Sequence, residues 1–226
     1  MSAWIEMISD KDADAPLKEV LDLARTPHGT VDNVMRVHSL RPSTMRGHVV
    51  LYRSCLHDKD NTVPMWFQEV ISSYVSTLNV CSYSFENHWA NARHLMDDDE
   101  RAALVETALK SHQPEDAFDG QHLAALRYAA KLTVSPGKMI AADIVALRKA
   151  GWDDGEILEI KKSCEKRDEW RCKITSATNC RSWRREELAR SPLIFFSNKK
   201  QIQNNYSNNS NEGWSCLLNV SNRIPA

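Results

Sequence analysis

Apolar residues return every three or four positions through most of the first 160 residues, and no stretch alternates in the manner of a half-buried strand. From Pro42 onward Met45, Val49, Leu51, Tyr52 and Leu56 keep helical spacing, and proline suits a first helical turn. A polar break over 57–61 and Pro64 precede a stronger helix. There Phe67, Val70, Ile71, Tyr74, Val75 and Leu78 form a broad apolar stripe. The pattern predicts further helices over about 81–95, from the acidic 97–99 cap onward, over 119–132, over 141–150, and from Asp153 on. Residues before the Pro27-His28-Gly29 turn predict a short helix at most. The expected fold class is all-α.

The character of the chain changes near Lys161. Residues 161–190 are crowded with charge and cysteine, and QIQNNYSNNSN over 201–211 is a low-complexity run. Such composition buries too little apolar surface to offset the entropy of ordering. The expected organisation is one helical domain over 1–160 and a divergent tail over 161–226, poorly ordered or partly helical. Leu193-Ile194-Phe195-Phe196 is a short apolar patch in that tail.

A formal net charge of −1 over 226 residues offers no electrostatic case for nucleic acid or an anionic membrane. No apolar run reaches the roughly 20 residues of a transmembrane helix, and the opening lacks a signal-peptide pattern. The expected location is cytoplasmic. In that reducing setting the six cysteines read as thiols rather than a disulfide framework.

Chemistry concentrates between Glu69 and His88. Cys81, Ser84 and His88 stand at i, i+3 and i+7, on one face of a helix two turns long. A cysteine at a helix N-terminus lies beside unsatisfied N–H groups and the positive end of the dipole, which favours the nucleophilic thiolate. A histidine on that face can take or return its proton. A carboxylate on the preceding antiparallel helix can orient the histidine or relay the proton. Taken singly, each residue has a plain structural role open to it: a buried cysteine, a bonded helix histidine, a solvated glutamate.

The spacing resembles the AhpD-like superfamily of alkylhydroperoxidases, carboxymuconolactone decarboxylases and peroxidase-related proteins. Its motif is a glutamate, eleven residues, then Cys-x-x-Cys-x-x-x-His; here Glu69, eleven residues, Cys81, Ser84 and His88 stand in those places. Residues 4–8, 32–42, 48–52, 119–132 and 151–157 are similar to the peroxidase-related branch. The resemblance implies a helical bundle with the motif on a hairpin and a thiol-dependent, antioxidant peroxidase-like oxidoreductase. Cys81 would be the nucleophile, His88 the base, Glu69 its orienter and Ser84 a hydrogen-bond donor to the thiolate. It implies a small peroxide substrate, an external thiol reductant, a homo-oligomer, and neither cofactor nor metal. Carboxymuconolactone decarboxylase-like lyase chemistry on a lactone, and a redox-inactive assembly role, are the alternatives.

The sequence departs from that family twice. Ser84 replaces the second cysteine, so a disulfide within the motif is excluded and monothiol chemistry at Cys81 is left, resolved by an external thiol or by a distant cysteine such as Cys55. After Ile160 the family's final helix gives way to unrelated sequence. Cys164, Cys172 and Cys180 are evenly spaced but too far apart for the usual zinc pairing. His94, His112 and His122 are expected at the surface.

Overall fold

Carboxylate caps open α1, α6, α8 and α9 of this computed structural model, which describes residues 3–26 and 29–165. The Asp14 carboxylate accepts from the Leu17 amide and opens α1 (Ala15–Ala24). A short α2 (Asn33–Arg36) leads to α3 (Pro42–Leu56), with proline in its first turn. α4 (Met65–Leu78) follows Pro64 and connects by a tight turn to α5 (Ser82–Met96). Asp98 caps α6 (Asp99–Lys110) by accepting from the Arg101 amide. α7 (Gly120–Val134) and α8 (Ala141–Ala150) come next, and α8 stops at Gly151, whose φ of 108° suits a residue without a Cβ. Asp153 and Glu156 bond each other's amides reciprocally at the start of α9 (Asp154–Glu165). The protein is all-α, and no strand occurs among the described residues.

Helix α4 is the axis of the bundle. Every residue from Phe67 to Ser76 is buried, because α5, α6, α7 and α9 all pack against it. Phe67, Val70, Ile71, Tyr74 and Val75 share one core with Leu109, Leu126, Leu147, Trp152 and Ile160. Each such side chain contributes about 1.5–3 kcal/mol on burial. A second cluster unites α1, α2 and α3 through Leu17, Leu21, Met35, Met45 and Val49. Glu159 of α9 ties the loop before α4, accepting from the Thr62 and Val63 amides at 3.0 and 2.8 Å.

The structure refines several expectations. The N-terminal region carries a ten-residue α1, a longer helix than its turn signals suggest, because the apolar face of α3 shelters it. α9 runs through 160 to Glu165, with Ile160, Ser163 and Cys164 buried. His94 and His112 are exposed, but His122 is half-buried among Trp66, Phe67, Phe118 and Trp152. The tail cysteines, the 193–196 patch and the Asn-rich run lie outside the described residues. Among the described residues no helix is long and apolar enough to cross a membrane, and no three metal-ligating side chains gather.

Candidate active site on the α4–α5 hairpin

The turn between α4 and α5 decides where the candidate nucleophile stands. The Cys81 amide reaches back to the Ser76 carbonyl at 2.9 Å, while the Val80 amide bonds the Thr77 carbonyl at 3.0 Å. This is a Schellman closure, with Val80 in the left-handed position at φ 53°. A β-branched residue is a true outlier there, at a cost of about 1–2 kcal/mol. Val80 is also 90% exposed, so no packing of its own offsets the strain. The turn leaves Cys81 buried at the N-cap of α5, where its carbonyl accepts from the Phe85 amide.

Antiparallel packing then brings the polar faces of the two helices together in rungs. His88 Nδ1 lies 2.6 Å from Glu69 Oε2, and both residues are buried. A carboxylate accepts, so Nδ1 carries the proton and Nε2 is the nitrogen left for proton exchange. The Asn91 amide donates to Glu69 Oε1 at 3.3 Å. One rung nearer the turn, Ser76 Oγ lies 2.8 Å from Ser84 Oγ and 2.7 Å from the Ser72 carbonyl oxygen. Asn91, Ser72 and Ser76 were not singled out from the sequence. Their signal was faint but present: Asn91 is three residues beyond His88, and Ser72 and Ser76 repeat the face of Glu69 at i+3 and i+7.

The sulfurs are distributed differently from the sequence expectation. Cys81 is disulfide-bonded. Cys55 is a buried free thiol and so is not bonded to it. Cys164 is buried against its own helix, with Sγ 3.1 Å from the Ile160 carbonyl oxygen.

Several solved structures share this fold, three of them with TM-scores above 0.5 as follows. One is an uncharacterized peroxidase-related protein from Silicibacter sp. TM1040, 21% identical, with a TM-score of 0.61 over 72% of this chain and 82% of that one. Another is an alkylhydroperoxidase AhpD core, an uncharacterized peroxidase-related protein from Ralstonia eutropha JMP134. It is 22% identical, with a TM-score of 0.56 over 72% and 83% of the two chains. The third is a cysteine-to-alanine variant of the debrominase Bmp8 in complex with 2,3,4-tribromopyrrole, 16% identical, with a TM-score of 0.54 over 73% and 83%. No family model matches the sequence, and no curated protein does. The fold is AhpD-like.

Proposed function

We propose that the protein is a thiol-dependent peroxidase-like oxidoreductase using Cys81, with His88 as proton carrier and Glu69 as its orienter. The observation that carries the reading is the buried 2.6 Å Glu69–His88 pair on the hairpin whose turn delivers Cys81. Once reduced, the Cys81 thiolate attacks one oxygen of a hydroperoxide. A sulfur–oxygen bond forms, the oxygen–oxygen bond breaks, and the leaving alkoxide takes a proton from His88. Sulfur is oxidised to a sulfenic acid and the peroxide is reduced to an alcohol. A second thiol then attacks the sulfenic sulfur, releases water and leaves a disulfide, which an external thiol reduces. A reducing, cytoplasmic setting would supply that thiol, and assembly with further copies of the chain belongs to the same proposal.

Stopped-flow oxidation of the reduced protein by hydrogen peroxide and cumene hydroperoxide, with dimedone trapping at Cys81, tests the reading. The expected result is a Cys81 adduct and a rate well above that of free cysteine. A rate equal to free cysteine, or one that survives Cys81→Ser, would overturn it. Turnover of a carboxymuconolactone that persists in Cys81→Ala would favour the lyase instead. The likeness to a debrominase supports a narrower second reading: the thiolate takes the halogen of a halogenated aromatic onto sulfur as the carbon–halogen bond breaks, His88 protonates the carbanion released, and an external thiol then displaces halide from the sulfur to leave a disulfide. Bromide release from a bromopyrrole by the reduced protein distinguishes it.

A further inference from the structure

Two histidines meet outside the α4–α5 hairpin, where the chain enters α3. His38 lies in the segment between α2 and α3, and His48 on the second turn of α3. Both are half-buried, their rings meet edge to face at 5.1 Å, and His48 Nδ1 stands 3.0 Å from His38 Nε2. The protons of this cluster follow from its hydrogen bonds. The Thr44 hydroxyl donates its single proton to the Arg41 carbonyl at 2.8 Å, so its oxygen accepts from His38 Nδ1 at 2.9 Å. Neutral His38 then carries its lone pair on Nε2, directed at His48, and the one proton in the gap belongs to His48 Nδ1. This is the arrangement of a prepared metal ligand. A ligating histidine characteristically donates its other ring N–H to an oxygen acceptor, which sets the tautomer and aims the lone pair. Thr44, in the first turn of α3, does this for His38.

We propose that His38 Nε2 and His48 Nδ1 bind one zinc ion, which takes the place of the proton they share. Imidazole nitrogen is a preferred zinc donor. Two nitrogens held at about 2.0–2.1 Å by one tetrahedral zinc are about 3.3–3.4 Å apart, so the rings need to part by only a few tenths of an ångström. On binding, His48 carries its proton on Nε2 instead of Nδ1, and both rings stay neutral. No third histidine, cysteine, aspartate or glutamate joins them among the described residues, so solvent completes the tetrahedron. The consequence is structural. Ser39, next to His38, accepts from the Ile8 amide at 2.8 Å, so fixing His38 to α3 also fixes the N-terminal segment. A ligand held by the folded state alone stabilises it by mass action. The site stands whether or not Cys81 reacts with peroxides.

The test adds zinc chloride to the full-length reduced protein and reads where the metal goes. In a zinc-soaked crystal, anomalous scattering should place a peak about 2.0–2.1 Å from both nitrogens. No peak between the two rings, or zinc on cysteine sulfur alone, would overturn the proposal. Calorimetric titration separates this site from the thiols in solution. His48→Phe, which keeps a ring but no nitrogen, should bind one zinc fewer than the wild type. His38→Phe should lose the same site and serves if His48→Phe does not fold. Thr44→Val, which releases His38 Nδ1, should weaken that site about tenfold. Zinc should also raise the melting midpoint of the wild type more than that of either phenylalanine variant. Equal zinc stoichiometry in the wild type and a folded phenylalanine variant would leave the pair a hydrogen bond and nothing more.

Discussion

Gln68 and Glu69 are consecutive residues of α4, each 1% exposed, and they do opposite things with their burial. Gln68 turns toward α9. Its amide donates to the Val63 carbonyl at 2.9 Å, and the Ser163 hydroxyl lies 3.4 Å from its carbonyl oxygen. That cluster is neutral and clasps the loop before α4 to the end of α9. Glu69 turns toward α5 and spends its burial on an ionisable partner. The contrast extends to two histidines. His122, packed among the rings of Trp66, Phe67, Phe118 and Trp152, has its pKa lowered by burial first and then by the Arg101 charge. His88 is given a carboxylate. One face of α4 thus uses polar groups to fix structure, and the other assembles groups able to exchange a proton.

Substitutions at the two neighbours should separate these roles. Glu69→Ala leaves His88 buried without its partner and should destabilise the fold by about 3–5 kcal/mol, read by chemical denaturation. The near-isosteric Glu69→Gln keeps much of that stability but should slow peroxide oxidation of reduced Cys81 by about 10²-fold. Gln68→Ala should cost about 2–3 kcal/mol through the unpaired Val63 carbonyl and the cavity left behind, with the per-molecule rate of the folded protein unchanged. A comparable loss of rate in Gln68→Ala would erase the distinction between the faces.

A smaller effect is expected at the turn. Val80→Gly should raise stability by about 0.5–1 kcal/mol, since relief of left-handed strain exceeds the entropy that glycine adds to the unfolded chain. Thermal melting checks this, and an unchanged or lower midpoint would show that Val80 is not strained. The smallest expected effect concerns pH. His122 is held below its ordinary value of 6.5 in the folded protein, so the unfolded chain binds more protons between the folded pKa and 6.5. Its contribution is therefore present above pH 6.5 and lost as pH falls through the folded pKa. Replacing His122 by Gln should flatten the stability–pH curve in that window; an unchanged slope would show that burial does not hold the ring neutral.

Much of this was legible in the chain because helices are local. The starts of α3, α4, α6, α8 and α9 follow from proline, aspartate and apolar spacing within a few residues of each boundary. Serines are harder to read. Ser72, Ser73 and Ser76 look like ordinary polar residues of a surface face, and only the packing of α5 onto α4 makes them an interior seam. His122 misled for the same reason, since the rings around it come from α4, from the segment before α7 and from the turn between α8 and α9.

By itself, the sequence determined the helical period and the Glu69, Cys81, Ser84 and His88 spacing, since both depend on positions a few turns apart. It also excluded a disulfide between positions 81 and 84, because a serine has no sulfur to offer. Tertiary structure alone decided which face of α4 became a neutral clasp and which received the buried Glu69–His88 pair. That choice depends on α5 meeting α4 at Glu69 and α9 meeting it at Gln68, and on the strained turn at Val80 that sets the register of α5 against α4.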